Sequence, residues 1–579
     1  MHTIKRTLTD LIGAELMALT GLEEVNPNVI TASKPEFGDY QANGVMALAK
    51  RLGRNPRELG AELLARLEAA DSPLVARYEL AGPGFINIHL SVEALRMRAN
   101  ALLENPSLLI STAESPLTIV VDYSSPNLAK EMHVGHLRGT IIGDSIARIL
   151  ERQGHRVIRQ NHVGDWGTQF GMLITFMRES SAEAGLALAD LEGFYRAAKQ
   201  RFDEDSEFAA RARESVVKLQ SGDPEYLEAW RSFIDTSLTH CQAVYDKLNV
   251  TLSMDDLKAE SFYNPQLAGV VTRLEGAGLL QESDGARCVF LDEFVGKDGD
   301  PLPVIIQKTD GGFLYATTDL AAVDYRCHEL NADRSLYVVD ARQSLHFQQV
   351  FAVAAAAGFS DSSISLEHIS YGTMMGSDGK PFKTRSGDVV KLVDLLDEAV
   401  SRAYELVSMK NPDIEEAERR KIAQAVGIAS VKYADLSKNR TSDYLFDWGS
   451  MLSFEGNTAP YLMYAYARIA TLLAKQGHST QTVSLLPTVS SMAPEESALL
   501  LKSLQLAETV EAVALDCFPN TLSTYLYELA GTFMRFYEAC PIQGADEITR
   551  AQRLSLCVLA SEALKQGLNL LGIETLERM

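Results

Sequence analysis

Apolar residues at Ile4, Leu8, Leu11, Ile12 and Leu16 keep the three- and four-residue spacing of a single helix face, which predicts an amphipathic helix at the start of the chain. Alternation over Phe85–Leu90, directly after the turn residues Gly82-Pro83-Gly84, predicts a strand. The pattern changes at Leu117–Tyr123, a short β-branched run of the kind buried on both faces of a parallel sheet. A helical stretch over Leu137–Gln153 and a second strand at Arg156–Gln160 follow. That strand–loop–helix–strand order is a βαβ unit opening a doubly wound α/β sheet. The same vocabulary returns at Val304–Lys308, Ser335–Asp340, an Ala-rich helix over about Leu345–Ala357, and Ile364–Ser370. The charged, helix-patterned stretch of about 180–300 reads as an insertion between the two halves of one nucleotide-binding fold. Beyond about residue 456 the strand pattern disappears. Amphipathic helices remain, interrupted by one loop at Ser484–Ser497, and predict an all-helical bundle. The expected domains are therefore 1–115 (α+β), 116–455 (α/β with its insertion) and 456–579 (helical).

Composition removes several function classes. No apolar stretch approaches the roughly 20 residues that span a bilayer, and the N-terminal segment mixes acids and polar residues where an export signal needs an apolar run. No membrane partner and a cytoplasmic location are expected. The six cysteines show neither a CxxC pair nor a Cys/His spacing suited to zinc, so reduced thiols and no structural metal are expected. A net charge of −23 excludes binding to nucleic acid by bulk attraction. Any such partner must meet a local basic patch such as Lys50, Arg51, Arg54 and Arg57.

The strongest chemical signal is His133-Val134-Gly135-His136, placed where the first strand of the α/β region gives way to its helix. Helix N-termini there offer unpaired N–H groups and positive potential to phosphate. Two imidazoles on one turn can donate to phosphate oxygens that gain charge as the α-phosphorus is attacked. Such a pair can also arise by chance, ligate a metal or serve a small-molecule nucleotidylyltransferase; its place directly after the first strand, with proline and asparagine before it, favours a nucleotide site.

The segment SSPNLAKEMHVGHLRG, together with NHVGDWGTQFG (Asn161 to Gly171), YATTDLAA (Tyr315 to Ala322) and FEGNTAPYLMYAYARI (Phe454 to Ile469), resembles the arginyl-tRNA synthetases, a family of class I aminoacyl-tRNA synthetases. The resemblance implies a Rossmann-like catalytic domain, an N-terminal domain touching the tRNA elbow and a helical anticodon-binding domain. It implies ATP-dependent ligation of L-arginine to tRNA(Arg), with Mg²⁺ accompanying ATP, by a monomer without DNA partners. His133 and His136 would be catalytic and, with Ser124, Pro126, Gly135 and Thr384, would bind ATP. The mobile lysine-rich loop of the class is represented by MMGSDGKPFKTRSGDVVKL (Met374 to Leu392), with Lys380, Lys383 and Arg385 as catalytic candidates. The usual motif word is absent from it, and Lys130 is the candidate that makes up the missing charge. Gly139 stands where relatives often carry Ser, a departure with no expected consequence.

On the same resemblance, Asp319 with Tyr315 would hold the guanidinium, Asn127 and Gln343 the α-amino and carboxylate ends, and Asp122 the ammonium. His162, Asp165 and Gln169 are further pocket candidates. A guanidinium presents five donors in one plane, so a site of planar acceptors grips it and rejects lysine without a separate editing site. For RNA, Lys50, Arg51 and Arg54 in the first domain are the candidates. In the helical domain they are Tyr461, Arg468, Arg535 and Tyr537, with Tyr464, Tyr466, Tyr525, Tyr527 and Phe536 nearby, since splayed bases stack on aromatic and guanidinium planes.

Overall fold

The computed structural model describes all residues except 1, 181–190, 297, 383–389, 411, 483–484 and 489–490. Helix α1 (Ile4–Thr20) is capped by the Thr3 hydroxyl and ended by Gly21 in the left-handed conformation. A four-stranded antiparallel sheet follows, in the order β1 (Val29–Thr31), β2 (Tyr40–Ala42), β4 (Phe85–Leu90), β3 (Val75–Ala81). Helices α2 (Val45–Leu52), α3 (Pro56–Ala69) and α4 (Val92–Glu104) complete this part.

The second compact unit comprises 113–453 and 570–573. Its sheet is parallel throughout, in the order β11 (Ser365–His368), β10 (Arg334–Tyr337), β5 (Thr118–Asp122), β6 (Arg156–Gln160). The register sets Asp122 beside both Gln160 and Tyr337, so the carboxyl ends of the three strands lie level. α5 (Leu137–Arg152) runs back from this edge and is buried along most of its length. α6 (Thr168–Glu179), α7 (Leu191–Glu204), α8 (Ser206–Gln220) and α9 (Pro224–Lys247) form the helical part of the insertion.

Two sequence expectations fail here. The insertion is not helical to its end: after α10 (Leu267–Gly276), β7 (Leu280–Ser283), β8 (Ala286–Val289) and β9 (Val304–Gln307) make a separate three-stranded antiparallel sheet. Val304–Lys308 therefore does not rejoin the nucleotide-binding sheet. β9 alternates buried and exposed positions, the signature of a sheet with one wet face, and its run of three apolar residues is too short to reveal that period. Beyond it, α11 (Tyr315–Asp324) ends in a π-turn, Tyr325–Glu329. α12 (Ser344–Ala356) then crosses to β11, and β12 (Met374–Met375) leads to α13 (Leu392–Lys410) and α14 (Glu416–Leu436). β12 pairs in parallel with β13 (Tyr444–Leu445).

The C-terminal helices are α15 (Ala459–Lys475), α16 (Pro494–Leu504), α17 (Leu506–Asp516), α18 (Pro519–Ala539) and α19 (Glu547–Leu570). Residues 454–569 form one compact unit with 1–112 rather than standing alone. The Tyr40 hydroxyl donates to Glu508, and the Thr3 and Ser111 hydroxyls donate to Glu511, one helical turn along α17. Among the described residues no helix is long and apolar enough to cross a membrane.

Candidate active site

The chain leaves β5 through two consecutive left-handed residues, Ser124 (φ 72°) and Ser125 (φ 46°). Such backbone persists for non-glycine residues only when the surroundings hold it. Here the Ser125 hydroxyl donates to Asp122 Oδ1 at 3.0 Å and its backbone N–H to Asn161 Oδ1 at 3.0 Å. The loop is then laid against the one after β6, with Leu128 N–H donating to Gly164 O and Gly164 N–H to Pro126 O. Asn127 closes a turn by accepting from Ala129 N–H, and Gly164 leaves room for its amide.

His133 and His136 close the following turn on each other. His136 Nδ1 accepts the His133 backbone N–H at 3.1 Å, His133 Nδ1 accepts the Gly135 N–H at 3.1 Å, and the rings lie 4.0 Å apart. A Cβ at Gly135 would come within 2.8 Å of the His133 ring, which is why only glycine fits between the imidazoles. Burial, then the neighbouring Lys130 charge, hold His133 below its ordinary range. Burial, then His133, push His136 down to about 3. Both rings are thus neutral near pH 7. Because each Nδ1 accepts a backbone proton, each Nε2 carries the ring's hydrogen and is a donor. His133, with Val134 and Gly135, borders a cavity of about 200 Å³ whose other walls include Arg138, Tyr371 and Phe382. Lys130 sits 4.4 Å over the Tyr195 ring of α7. Lys380 lies in an exposed tight turn, its carbonyl accepting from Gly376 N–H. Lys383, Thr384 and Arg385 lie outside the described residues.

A second cluster is acidic. Asp319 on α11 meets His346 Nε2 of α12 at 2.6 Å. Asp165 accepts from the backbone and hydroxyl of Ser261, and burial raises its carboxyl. Glu260 is the most perturbed of the group: burial, then the charges of Asp165 and Asp319, push it up to about 8. Tyr315 opens α11 one turn before Asp319, largely exposed, with its hydroxyl raised by burial and then by Glu260. Asp165 and Asp319 thus both bear on Glu260, and His162 Nδ1 and Gln169 Oε1 nearby in sequence are buried without a hydrogen-bond partner. Such a set suits an incoming cation with several N–H donors.

Asp122 departs from its expected role. Its Oδ2 takes the Arg326 guanidinium at 2.7 Å, both groups buried, while Arg326 Nε reaches Gln160 at 2.7 Å. The carboxylate is neutralised from within. Arg326 lies 204 positions away on the π-turn, so nothing in the local sequence announces the pairing. Gln343 is exposed, at the last position of the turn before α12.

Three family descriptions match: "Arginyl tRNA synthetase N terminal domain" over residues 3–90, "tRNA synthetases class I (R), catalytic domain" over 98–448, and "DALR anticodon binding domain" over 462–579. Similar chains named arginine–tRNA ligase come from Ectopseudomonas mendocina, 57% identical over 100% of this chain and 99% of that one, and from Marinomonas sp., 55% identical over all of both. The chain belongs to the arginyl-tRNA synthetases. Among solved structures, arginyl-tRNA synthetases of Plasmodium falciparum (TM-score 0.85, 27% identity) and Thermus thermophilus (TM-score 0.82, 26% identity) are covered completely and cover this chain completely.

Membership in the arginyl-tRNA synthetases makes the chain a class I ligase with an anticodon-binding domain, as the sequence resemblance implied, and sets the two clusters in an enzyme of amino-acid activation. Glu260 and His346 were missed by sequence reasoning. Neither stands in a motif; a lone acid in KAESF becomes visible only once burial brings Asp165 and Asp319 against it. In the helical domain of this arginyl-tRNA synthetase, Arg468 lies 4.3 Å over the Tyr537 ring and 5.8 Å from that of Tyr464. Tyr461 and Tyr527 pack 5.6 Å apart, and Arg535 bonds Thr532. Tyr466, Tyr525 and Phe536 are core. Lys50 and Arg51 are exposed at the end of α2, whereas Arg54 is paired with Glu62.

Proposed function

We propose that the Glu260–Asp319–Asp165 cluster with Tyr315 receives the arginine guanidinium, and that the cavity bordered by His133, whose ring has the His136 ring beside it, receives ATP. An α-carboxylate oxygen of arginine attacks the α-phosphorus, the bond to the bridging oxygen breaks, and pyrophosphate leaves arginyl-adenylate behind. A terminal ribose hydroxyl of tRNA(Arg) then attacks the adenylate carbonyl and AMP departs. No side-chain nucleophile is required, because positioning and charge stabilisation carry phosphoryl transfer.

Neutral imidazoles donate to the oxygens of the α-phosphate, where charge grows in the transition state, without adding a cation that would bind the ground state equally well. Lys130 and Lys380 neutralise the departing pyrophosphate. Mg²⁺ would travel with ATP, held by phosphate oxygens and water. The Tyr461–Arg468–Tyr537 surface receives anticodon-loop bases, and Lys50 and Arg51 receive backbone phosphates. All the proposed small-molecule groups belong to one chain, which supports action as a monomer, and substrates of this kind support a cytoplasmic location.

The carrying observation is the cluster of buried Asp165 with half-buried Glu260 and Asp319, in which the other two charges raise Glu260 and, among the described residues, the one ion pair is that of Asp319 with His346. The deciding experiment is ATP–pyrophosphate exchange with each of the twenty amino acids, with and without tRNA. Exchange restricted to arginine is expected; equal exchange with lysine refutes the pocket assignment.

A further inference from the structure

Arg138 follows the histidine pair by two residues and is 2% exposed. All the nitrogens of its guanidinium are engaged, and every partner lies on a single stretch some three hundred residues away. Nε pairs with buried Asp435 at 3.0 Å, Nη1 donates to Ser442 O at 3.0 Å and Nη2 to Arg440 O at 3.2 Å. That stretch is the template for the segment leading to Lys380. Gly372 N–H donates to Arg440 O at 2.9 Å, Thr373 N–H to Asp443 Oδ1 at 2.6 Å, and β12 pairs with β13. Phe382 N–H then returns to Met374 O at 3.0 Å, closing the turn that holds Lys380.

Contacts on either side leave no slack. A Cβ at Gly139 would stand 2.7 Å from Tyr371 Oη, and one at Gly372 would stand 2.7 Å from Ser442 O. The guanidinium thus bridges the two walls of the cavity, His133 to Gly135 on one side and Tyr371 to Phe382 on the other. We propose that Arg138 is a positioning residue for adenylate formation, setting the span between the histidine turn and the segment that carries Lys380. This rests on reading that cavity as the ATP site. A misplacement of about 1 Å in such a site costs on the order of 10²-fold in rate.

Arg138→Lys keeps the charge but cannot reach three acceptors in one plane. Arginine-dependent pyrophosphate exchange is measured with tRNA(Arg) present and per active site, titrated by the adenylate burst, so that misfolded protein does not count. Expected are a kcat about 10²-fold lower, an arginine KM within about threefold of wild type, and non-additivity with Lys380→Ala, the second change costing less than about threefold once the first is made. If Arg138→Lys fails to fold, the paired Arg138→Met/Asp435→Leu variant removes both buried charges together, an exchange interiors commonly tolerate. It should show the same per-site loss. A per-site kcat within about twofold of wild type, or fully additive losses, overturns the inference alone. Wild-type enzyme inert toward arginine and ATP with tRNA(Arg) present overturns the reading of the cavity itself.

Discussion

Glu260 offers a measurement in which the substrate displaces a proton. In the free enzyme its carboxyl is pushed from an ordinary 4.5 up to about 8, by burial first and then by Asp165 and Asp319. At pH 7 only about one molecule in eleven carries the charged form that a guanidinium needs. If arginine binds that form, its apparent Kd should fall about tenfold from pH 6 to 7, about fivefold from 7 to 8, and level off near pH 9. Calorimetry at pH 7 in buffers of different ionisation heat should register about 0.9 proton released per arginine bound. Glu260→Gln should abolish the release, flatten the profile and weaken binding by about 10²-fold, the scale of a lost charge-assisted hydrogen bond in a buried site. The stability of the free enzyme has the opposite sense. The folded carboxyl keeps its proton between about pH 4.5 and 8 while an unfolded one does not, so stability falls with rising pH across that window. No proton release, together with a Glu260→Gln pH profile parallel to wild type, refutes the assignment.

Three further outcomes are expected. His136→Ala should lower kcat for pyrophosphate exchange by about 10²–10³-fold, the scale of one lost oxyanion donor, while tRNA affinity by filter binding stays within about twofold. Asp319→Asn should raise the arginine KM at least about tenfold and leave the ATP KM unchanged; a matched rise in both would remove Asp319 from the guanidinium site. Gly143→Ala should destabilise the catalytic unit by about 1–3 kcal/mol in urea unfolding, because its Cβ would overlap the Tyr123 side chain next to the strained serine pair.

Much of the fold is legible because parallel sheets are buried on both faces and leave unbroken apolar runs: Arg156–Gln160 forms a strand with the expected bounds, and Thr118–Asp122 falls inside the expected run. β9 misleads for the same reason, since four residues cannot distinguish a fully buried strand from a one-sided one. At the site, His133 and His136 are legible because a local turn brings them together, and the spacing of Tyr315 and Asp319 is a helical turn. Glu260, His346 and the Arg326 partner of Asp122 are not, because their meanings arise from contacts across the fold. Gly139 also acquires a reason only in three dimensions, where the Tyr371 hydroxyl occupies the space a side chain would need.

The carboxyl-bearing residues Asp165, Glu260 and Asp319 come from three distant stretches of the chain, and the charges of the first and last hold a proton on the second. An amino acid whose cation enters between them takes that proton's place and ties those stretches together. Arginine is in this sense mortar as well as cargo: enzyme in a well-fed cell should resist heat and proteases better than the same enzyme under starvation, so nutrient supply is written into its lifetime.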